Sequence, residues 1–366
     1  GFRGRAVERR LSVSLAKRKS ELSWLNVWFC LLVVFIHAAS QPVSVLDKLS
    51  WQSALVMIPQ RLAFVAVPGF FLLSGVKLTL PRSRPQTIAS YWRGRCRSIL
   101  LPYLLAVLVY YFTFVFLLRW FPFSWRELAR YTVTGSLSAP FYFLIALFQF
   151  ILLFPLFRWL ARRWSAAVLL PFALGLTWVS SMYFNAVLQL FVPGAVFPYG
   201  DRVFTTYLFY YLAGCCIGAH YTDFLKLLEQ NRGLITALFL AFALADGWIS
   251  WMAFSGRGAA PFLEIVHSLY IISAILFFYG LAQSCPSPLP RWAQAVDRAS
   301  FLIYLYHCLV LTLFQTYAPR LGLTRTAPQF VGRMAVVYAV TIGACVLWQR
   351  LYAAVRARLL SGKSAP

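Results

Sequence analysis

Trp24-Leu-Asn26-Val-Trp28-Phe-Cys-Leu-Leu-Val-Val-Phe-Ile-His37-Ala-Ala39 decides the fold class. It is apolar on every helical face, so no amphipathic stripe separates a core side from a water side. Runs of this kind, near the 20 residues a helix needs to cross a bilayer, recur about ten times along the 366 residues. Hydrophobic residues make up 61% and charged ones only 12%, against about a quarter charged in soluble domains. The two-residue alternation of a membrane barrel is absent. The expected fold is therefore all-α: a polytopic integral membrane protein of about ten transmembrane helices.

The expected spans are 23–40, 53–76, 98–118, 139–160, 164–182, 203–220, 233–252, 261–283, 299–318 and 332–354. Residues 1–22 read as a cytoplasmic basic arm, 23–357 as one transmembrane domain and 358–366 as a cytoplasmic tail. Pro171 and Gly175 leave 164–182 open to a re-entrant reading. Pro59, Pro68 and Pro102 lie within spans, where neighbouring helices can satisfy the carbonyls they free.

A net charge of +24 invites a nucleic-acid reading, but its distribution argues for a membrane. With the N-terminus inside, inner segments hold 24 of the 34 Lys/Arg, outer segments nine, and Arg61 is intramembrane. That asymmetry is the positive-inside rule. It predicts a multi-pass cell-membrane protein with both termini cytoplasmic, anionic lipids as neighbours and no nucleic-acid partner. The basic arm followed by an apolar run and Ala38-Ala39-Ser40 has the outline of a signal peptide. Asn26, Trp24, Trp28 and His37 inside the run, together with the charge balance, favour an uncut first span. Seven cysteines, none in an outer loop, predict no disulfide framework.

Ionisable residues within the spans carry the functional reading, because each is costly unless paired, hydrated or facing the protein interior. There are six: His37, Arg61, Asp246, Glu264, His267 and His307. Helix rise puts His37 roughly 21 Å above the inner face, Arg61 about 12 Å below the outer face and Asp246 near 20 Å. Glu264 and His267 share the first turns of a descending span. His307 falls apart from them, about 12 Å above the inner face. A histidine near a carboxylate suits general-base chemistry, and the same set suits a proton-coupled transporter or flippase. Each also has a structural reading: interhelical hydrogen bonding for His37, His307 and Asn26, snorkelling for Arg61, a helix-end role for Asp246, and solvation for Glu264.

On the inner side, Tyr91-Trp-Arg93-Gly-Arg95-Cys-Arg97 places Arg93 and Arg97 four apart, on one face of an α-helix. Such a pair suits a phosphate-bearing ligand or acts simply as a positive-inside anchor. No metal-type Cys/His spacing, Gly-rich phosphate loop or nucleophile elbow is present, and no metal is expected.

These motifs, in order, resemble the acyltransferase-3 family of integral membrane acyltransferases, in the branch without a fused esterase-like domain. The matching features are Val33-Val-Phe-Ile-His37, then Arg61 with Val67-Pro-Gly-Phe-Phe-Leu-Leu-Ser74-Gly75. Arg93-x-x-x-Arg97 before Leu101-Pro-Tyr103 and Phe141-Tyr-Phe-Leu-Ile-Ala-Leu-Phe-Gln149 come next. Tyr211-Leu-Ala-Gly214 and Ser300-Phe-Leu-Ile-Tyr304-Leu-Tyr-His307 complete the set. The resemblance implies acyl transfer, usually of acetyl, from cytoplasmic acyl-CoA as donor substrate to a hydroxyl of a cell-surface or lipid-linked glycan. It implies that His37 is catalytic and that Arg93 and Arg97 hold the donor's phosphates. Asp246, with Glu264 second, is the expected orienting carboxylate, and Arg61 the expected oxyanion stabiliser. Asn26, His267, Ser300, Tyr304 and His307 complete the candidates. Many relatives carry arginine where this chain has Asn26. The acceptor, the acyl chain and the oligomeric state are not readable from the sequence.

Overall fold

The computed structural model describes the backbone of residues 2–81, 87–260, 262–323 and 325–361, and the side chains within these from 20 to 355. The arm's basic side chains through Lys19 and the end of the tail, 362–366, lie outside the described residues. Among the described residues there is no strand.

The chain opens with α1 (Phe2–Val45), α2 (Trp51–Ala63) and α3 (Ala66–Thr79). A π turn at Cys96–Leu100 joins α4 (Ile88–Arg95) to α5 (Leu101–Phe112). After α6 (Trp125–Thr134), α7 (Phe141–Leu152) and α8 (Phe154–Arg163) meet at a 64° bend. Then come α9 (Ala166–Phe191), α10 (Leu208–Ala219), α11 (Tyr221–Gln230), α12 (Arg232–Phe254) and α13 (Leu263–Ser284). The chain closes with α14 (Arg291–Tyr317), α15 (Thr326–Val336) and α16 (Ile342–Ser361), the last two joined by a π turn at Val337–Thr341.

Among the described residues, eight helical stretches are long and apolar enough to span a membrane, the bent α7–α8 pair would make a ninth, and Phe204–Ala219 is a shorter apolar one. All ten expected segments are thus helical, and the protein is a polytopic all-α membrane protein. The segment at 164–182 is an uninterrupted helix extending to Phe191, not a re-entrant loop.

Of the prolines expected within spans, Pro59 lies inside α2, while Pro68 and Pro102 mark interruptions. Pro68 is the third residue of α3, where its missing N–H falls among groups that have no helical partner anyway. It therefore follows a break in the second span at residues 64–65. Pro102 follows a π turn. Pro155, at the start of α8, marks the bend in the fourth.

The helices fall into two compact units: Gly1–Ala66, Arg232–Ala260 and Ile272–Pro366 in the first, Val67–Asn231 and Pro261–Ile271 in the second. In the first unit α1 packs chiefly on α14 and α2. The α1–α14 seam is marked by polar contacts at helical spacing, beginning with the Asn26 amide, which donates to Asp297 Oδ1 at 2.7 Å and to Ser300 Oγ at 2.8 Å. Ten to eleven residues on, His37 and His307 meet across the same seam, so the two helices run in the same direction.

In the second unit α3 and α10 approach so closely that a Cβ on Gly75 would strike the Tyr211 carbonyl. One on Gly214 would strike the Leu72 carbonyl. Phe71 stacks on Tyr207 at 4.4 Å and Phe150 on Tyr211 at 4.2 Å, filling the core beside that contact.

Candidate active site

The first unit concentrates buried polar groups around the last turns of α1. Pro42 lies inside α1 and has no N–H to offer the Ala38 carbonyl four residues earlier. Arg333 of α15, only 2% exposed, supplies the substitute: its Nε donates to Ala38 O at 3.2 Å. Its Nη2 donates to His37 O at 3.3 Å and its Nη1 to Gln315 Oε1 at 2.9 Å. From the other side, Gln60 Nε2 donates to Ile36 O at 2.8 Å. Three successive carbonyls are thereby held by α2 and α15, which fixes the turn that carries the His37 side chain.

The His37 ring is half-buried. It lies 5.1 Å, centroid to centroid, from the fully buried His307 ring of α14. Among the described residues neither ring nitrogen of His37 has a hydrogen-bond partner. His307 Nδ1 lies 3.1 Å from Ile303 O, one turn back, while its Nε2 is buried and unpartnered. The expectation that His307 falls apart from the other ionisable groups is corrected here, because its ring lies beside that of His37.

Asp246, expected to orient His37, has Arg61 as its ion-pair partner. It lies fully buried on α12, where its Oδ1 is 3.7 Å from Arg61 Nε of α2 and accepts from Ser250 Oγ at 3.4 Å. A carboxylate and a guanidinium that are both withdrawn from water favour each other over more distant partners. Gly247 permits the approach, since a Cβ there would already press on Ile58 of α2. Arg61, one residue after Gln60, therefore reaches this neighbourhood as a held cation rather than a snorkelling one.

Glu264 and His267, two of the five groups expected at a shared depth, belong to the second unit. Glu264 is exposed, its carbonyl accepting from Ser268 Oγ at 2.8 Å. His267 is buried with its ring 6.0 Å from that of Tyr270. Asn26 and Ser300 serve the α1–α14 seam, where Ser300 Oγ donates onward to Asp297 O at 2.9 Å. Tyr304 is buried there, 6.0 Å from the His307 ring.

Arg93 and Arg97 are both exposed in the second unit and have no ion-pair partner among the described residues. The π turn beginning at Cys96 falls between them, so the α-helical spacing assumed for the pair holds only through its first half. The same unit has a cavity of about 380 Å³ bordered by Ile88, Phe154, Arg158, Trp159, Arg162 and Arg163.

One grouping offers metal-type donors among the described residues. His37, His307 and Cys308 each place a ligand atom within 4.8 Å of the others. A tetrahedral ion with bonds of about 2.0–2.3 Å needs closer convergence. His307 and Cys308 are also adjacent on one helix, which turns their side chains about 100° apart.

Two cations went unnoticed in the sequence. Arg333 reads there as an outer boundary charge; the signal was Pro42, whose freed carbonyl needed a donor. Arg202, whose Nε and Nη1 are buried without a hydrogen-bond partner, stacks on Tyr199 at 4.5 Å in the second unit. Its carbonyl accepts from Gln149 Nε2 at 2.6 Å, and Gln149 Oε1 accepts from the Phe204 N–H. Gln149, a residue of the family-like motif, thus secures this loop.

The family model of the acyltransferase-3 domain matches residues 19–349. The chain belongs to that family of integral membrane proteins. It is 24% identical over 310 residues to a Staphylococcus epidermidis protein provisionally named poly-beta-1,6-N-acetyl-D-glucosamine export protein, covering 83% of this chain and 84% of that one. It is 23% identical over 301 residues to a Bacillus subtilis protein provisionally named membrane-bound acyltransferase YfiQ, covering 80% and 81%. No solved structure matches the chain.

Proposed function

We propose that this protein is a cell-membrane O-acyltransferase, both termini cytoplasmic, that moves an acetyl group from acyl-CoA to a hydroxyl of a membrane-linked or cell-surface glycan. The observation that carries this reading is the His37 imidazole: half-buried, with open ring nitrogens, on a turn fixed by Arg333 and Gln60. A base must be held in place yet free to meet its substrate; the backbone turn under this side chain is held and its ring nitrogens are open.

In the proposed reaction His37 takes the proton of the acceptor hydroxyl while the oxygen attacks the thioester carbonyl. The tetrahedral oxyanion draws on the Arg61 cation, whose position Asp246 sets. Collapse breaks the carbon–sulfur bond, and the CoA thiolate leaves with the proton returned by His37. Arg93 and Arg97, with Arg158 and Arg162 at the cavity of the same unit, supply cations for the donor's phosphates.

The test is purified protein in nanodiscs given acetyl-labelled acetyl-CoA, with and without a β-linked hexosamine oligosaccharide. Acceptor-dependent release of free CoA with label on the sugar supports the reading. Neither label transfer nor thioester hydrolysis, across several acceptors, overturns it.

A second reading, glycan export, draws support from the name of the Staphylococcus relative. It predicts labelled glycan crossing the bilayer of a sealed vesicle without gaining an acyl group.

A further inference from the structure

A histidine acting as base on one ring nitrogen carries a hydrogen on the other, and that hydrogen needs an acceptor if the ring is to stay aimed. In the familiar arrangement the acceptor is a carboxylate. Here Asp246 is engaged with Arg61 and Ser250, and Asp297 with Asn26.

The acceptor that does lie beside His37 is unusual. The Ile303 carbonyl can only accept, so at 3.1 Å it fixes the His307 hydrogen on Nδ1. Nε2 is then a bare lone pair. It is fully buried, has no hydrogen-bond partner among the described residues, and sits on a ring 5.1 Å from that of His37. An unsatisfied acceptor at such a place is costly, and native interiors rarely leave one without a use. One ring nitrogen of each imidazole lies within 4.8 Å of one of the other's, so rotation of His37 or one water molecule can join its ring to Nε2 of His307. Because His307 is wholly buried and His37 only partly so, the side open to an acceptor sugar is that of His37, with His307 behind it.

Resting on the acyl-transfer reading above, we propose that His307 is the positioning residue for His37, its Nε2 lone pair accepting the hydrogen on the ring nitrogen of His37 that faces away from the substrate. When His37 takes the acceptor proton, the imidazolium N–H opposite is stabilised by His307. The proton itself returns from His37 to the departing CoA thiolate. His307 keeps its own hydrogen on Ile303 throughout, so no net proton is gained or lost by the pair.

Two substitutions separate this from a merely structural role. His307→Asn keeps a donor near Nδ1 for Ile303 but removes the acceptor. His307→Gln places an amide oxygen near the Nε2 position. The expected result is a loss of about 10²-fold in kcat for His307→Asn, with KM for acetyl-CoA unchanged, and at least tenfold recovery in His307→Gln. In a His37→Gln background, His307→Asn is expected to cost nothing more, since residues acting as one unit are not additive. Melting temperature, measured alongside, reports folding independently. Wild-type kcat in His307→Asn, or losses that multiply in the double variant, overturns the proposal. Should His37→Gln itself retain full turnover, the acyl-transfer mechanism fails first, a result distinct from failure of the His307 role alone.

Discussion

The His37 turn of α1 and the arginine segment at residues 91–97 both look like sites in the sequence, yet they are built in opposite ways. Around His37, polar groups are buried and carbonyls 36, 37 and 38 each have a named donor. Around Arg93 and Arg97 the cations are exposed and unpaired among the described residues. A polar group in a dry interior is expensive unless satisfied, so its surroundings must specify its place. A charge at a wet boundary costs little and needs no specification. The difference separates a site where geometry matters from one where charge alone suffices, and it predicts how sharply each responds to substitution.

The largest effect is expected at His37. His37→Gln should lower acyl transfer by at least about 10²-fold while yield and melting temperature stay near wild type, since the ring makes no hydrogen bond that the fold depends on. Turnover in detergent or nanodisc against acetyl-CoA checks this. Near-normal turnover would make the turn a structural device and dissolve the contrast with the arginine segment.

Arg333 comes next, and it tests the buried side of the comparison through stability. Arg333→Met leaves the Ala38 carbonyl orphaned beside Pro42, at a cost of about 1–3 kcal/mol for one unsatisfied buried acceptor. Activity should fall with it, because the His37 turn loosens. Pro42→Ala restores an N–H to that carbonyl, so the double variant Arg333→Met/Pro42→Ala should regain part of the lost stability. If Pro42→Ala gives the same shift in both backgrounds, the two residues are not coupled through Ala38 and the account of the turn is wrong.

Much of the molecule could be read from composition. All ten helical segments follow from runs of apolar residues, because an unsatisfied backbone in lipid leaves the chain little alternative. The interruptions were not readable to the same degree. Whether a proline sits at a helix start, as Pro68 and Pro155 do, or inside one, as Pro42 does, depends on which neighbours can accept or supply hydrogen bonds. His307 shows the same limit from another side: counted from an uncertain helix start it falls apart from His37, yet the two rings meet. Asp246 stands out in the sequence by its burial cost, but its pairing with Arg61 does not. Sequence gives depth along a helix and not rotation about it.

Asp246 supplies an intermediate case. Asp246→Asn keeps the shape and the Ser250 contact but removes the charge facing Arg61. Leaving a buried cation uncompensated is expected to destabilise by about 3 kcal/mol or more if Arg61 stays in place. Arg61 is 21% exposed, so it can turn toward water, and a loss nearer 1 kcal/mol with a roughly tenfold fall in kcat is expected instead. Unchanged kcat would remove Arg61 from the oxyanion role while leaving His37 untouched.

The smallest effects belong to Arg93 and Arg97. Both are exposed and lack ion-pair partners among the described residues, so replacing either with alanine should leave the melting temperature unchanged. Each lost charge-assisted contact to a phosphate at a wet surface is worth about 1 kcal/mol or less, which predicts a three- to fivefold rise in KM for acetyl-CoA with kcat preserved. Because such contacts are screened, the wild-type KM should climb between 50 and 300 mM salt, and the double variant should climb less. Arg158 and Arg162 provide the internal control: they border a cavity on a neighbouring helix of the same unit. If their replacement raises KM and that of Arg93 and Arg97 does not, the donor's phosphates sit at the α8 cavity, and the motif at 91–97 is left with setting topology. Equal small rises at all four positions would instead mean a diffuse basic surface, in which charge rather than geometry recruits the donor. A sharp loss of kcat at Arg93 or Arg97 would break the comparison outright, because an exposed, unspecified cation would then be doing what only a positioned one is expected to do.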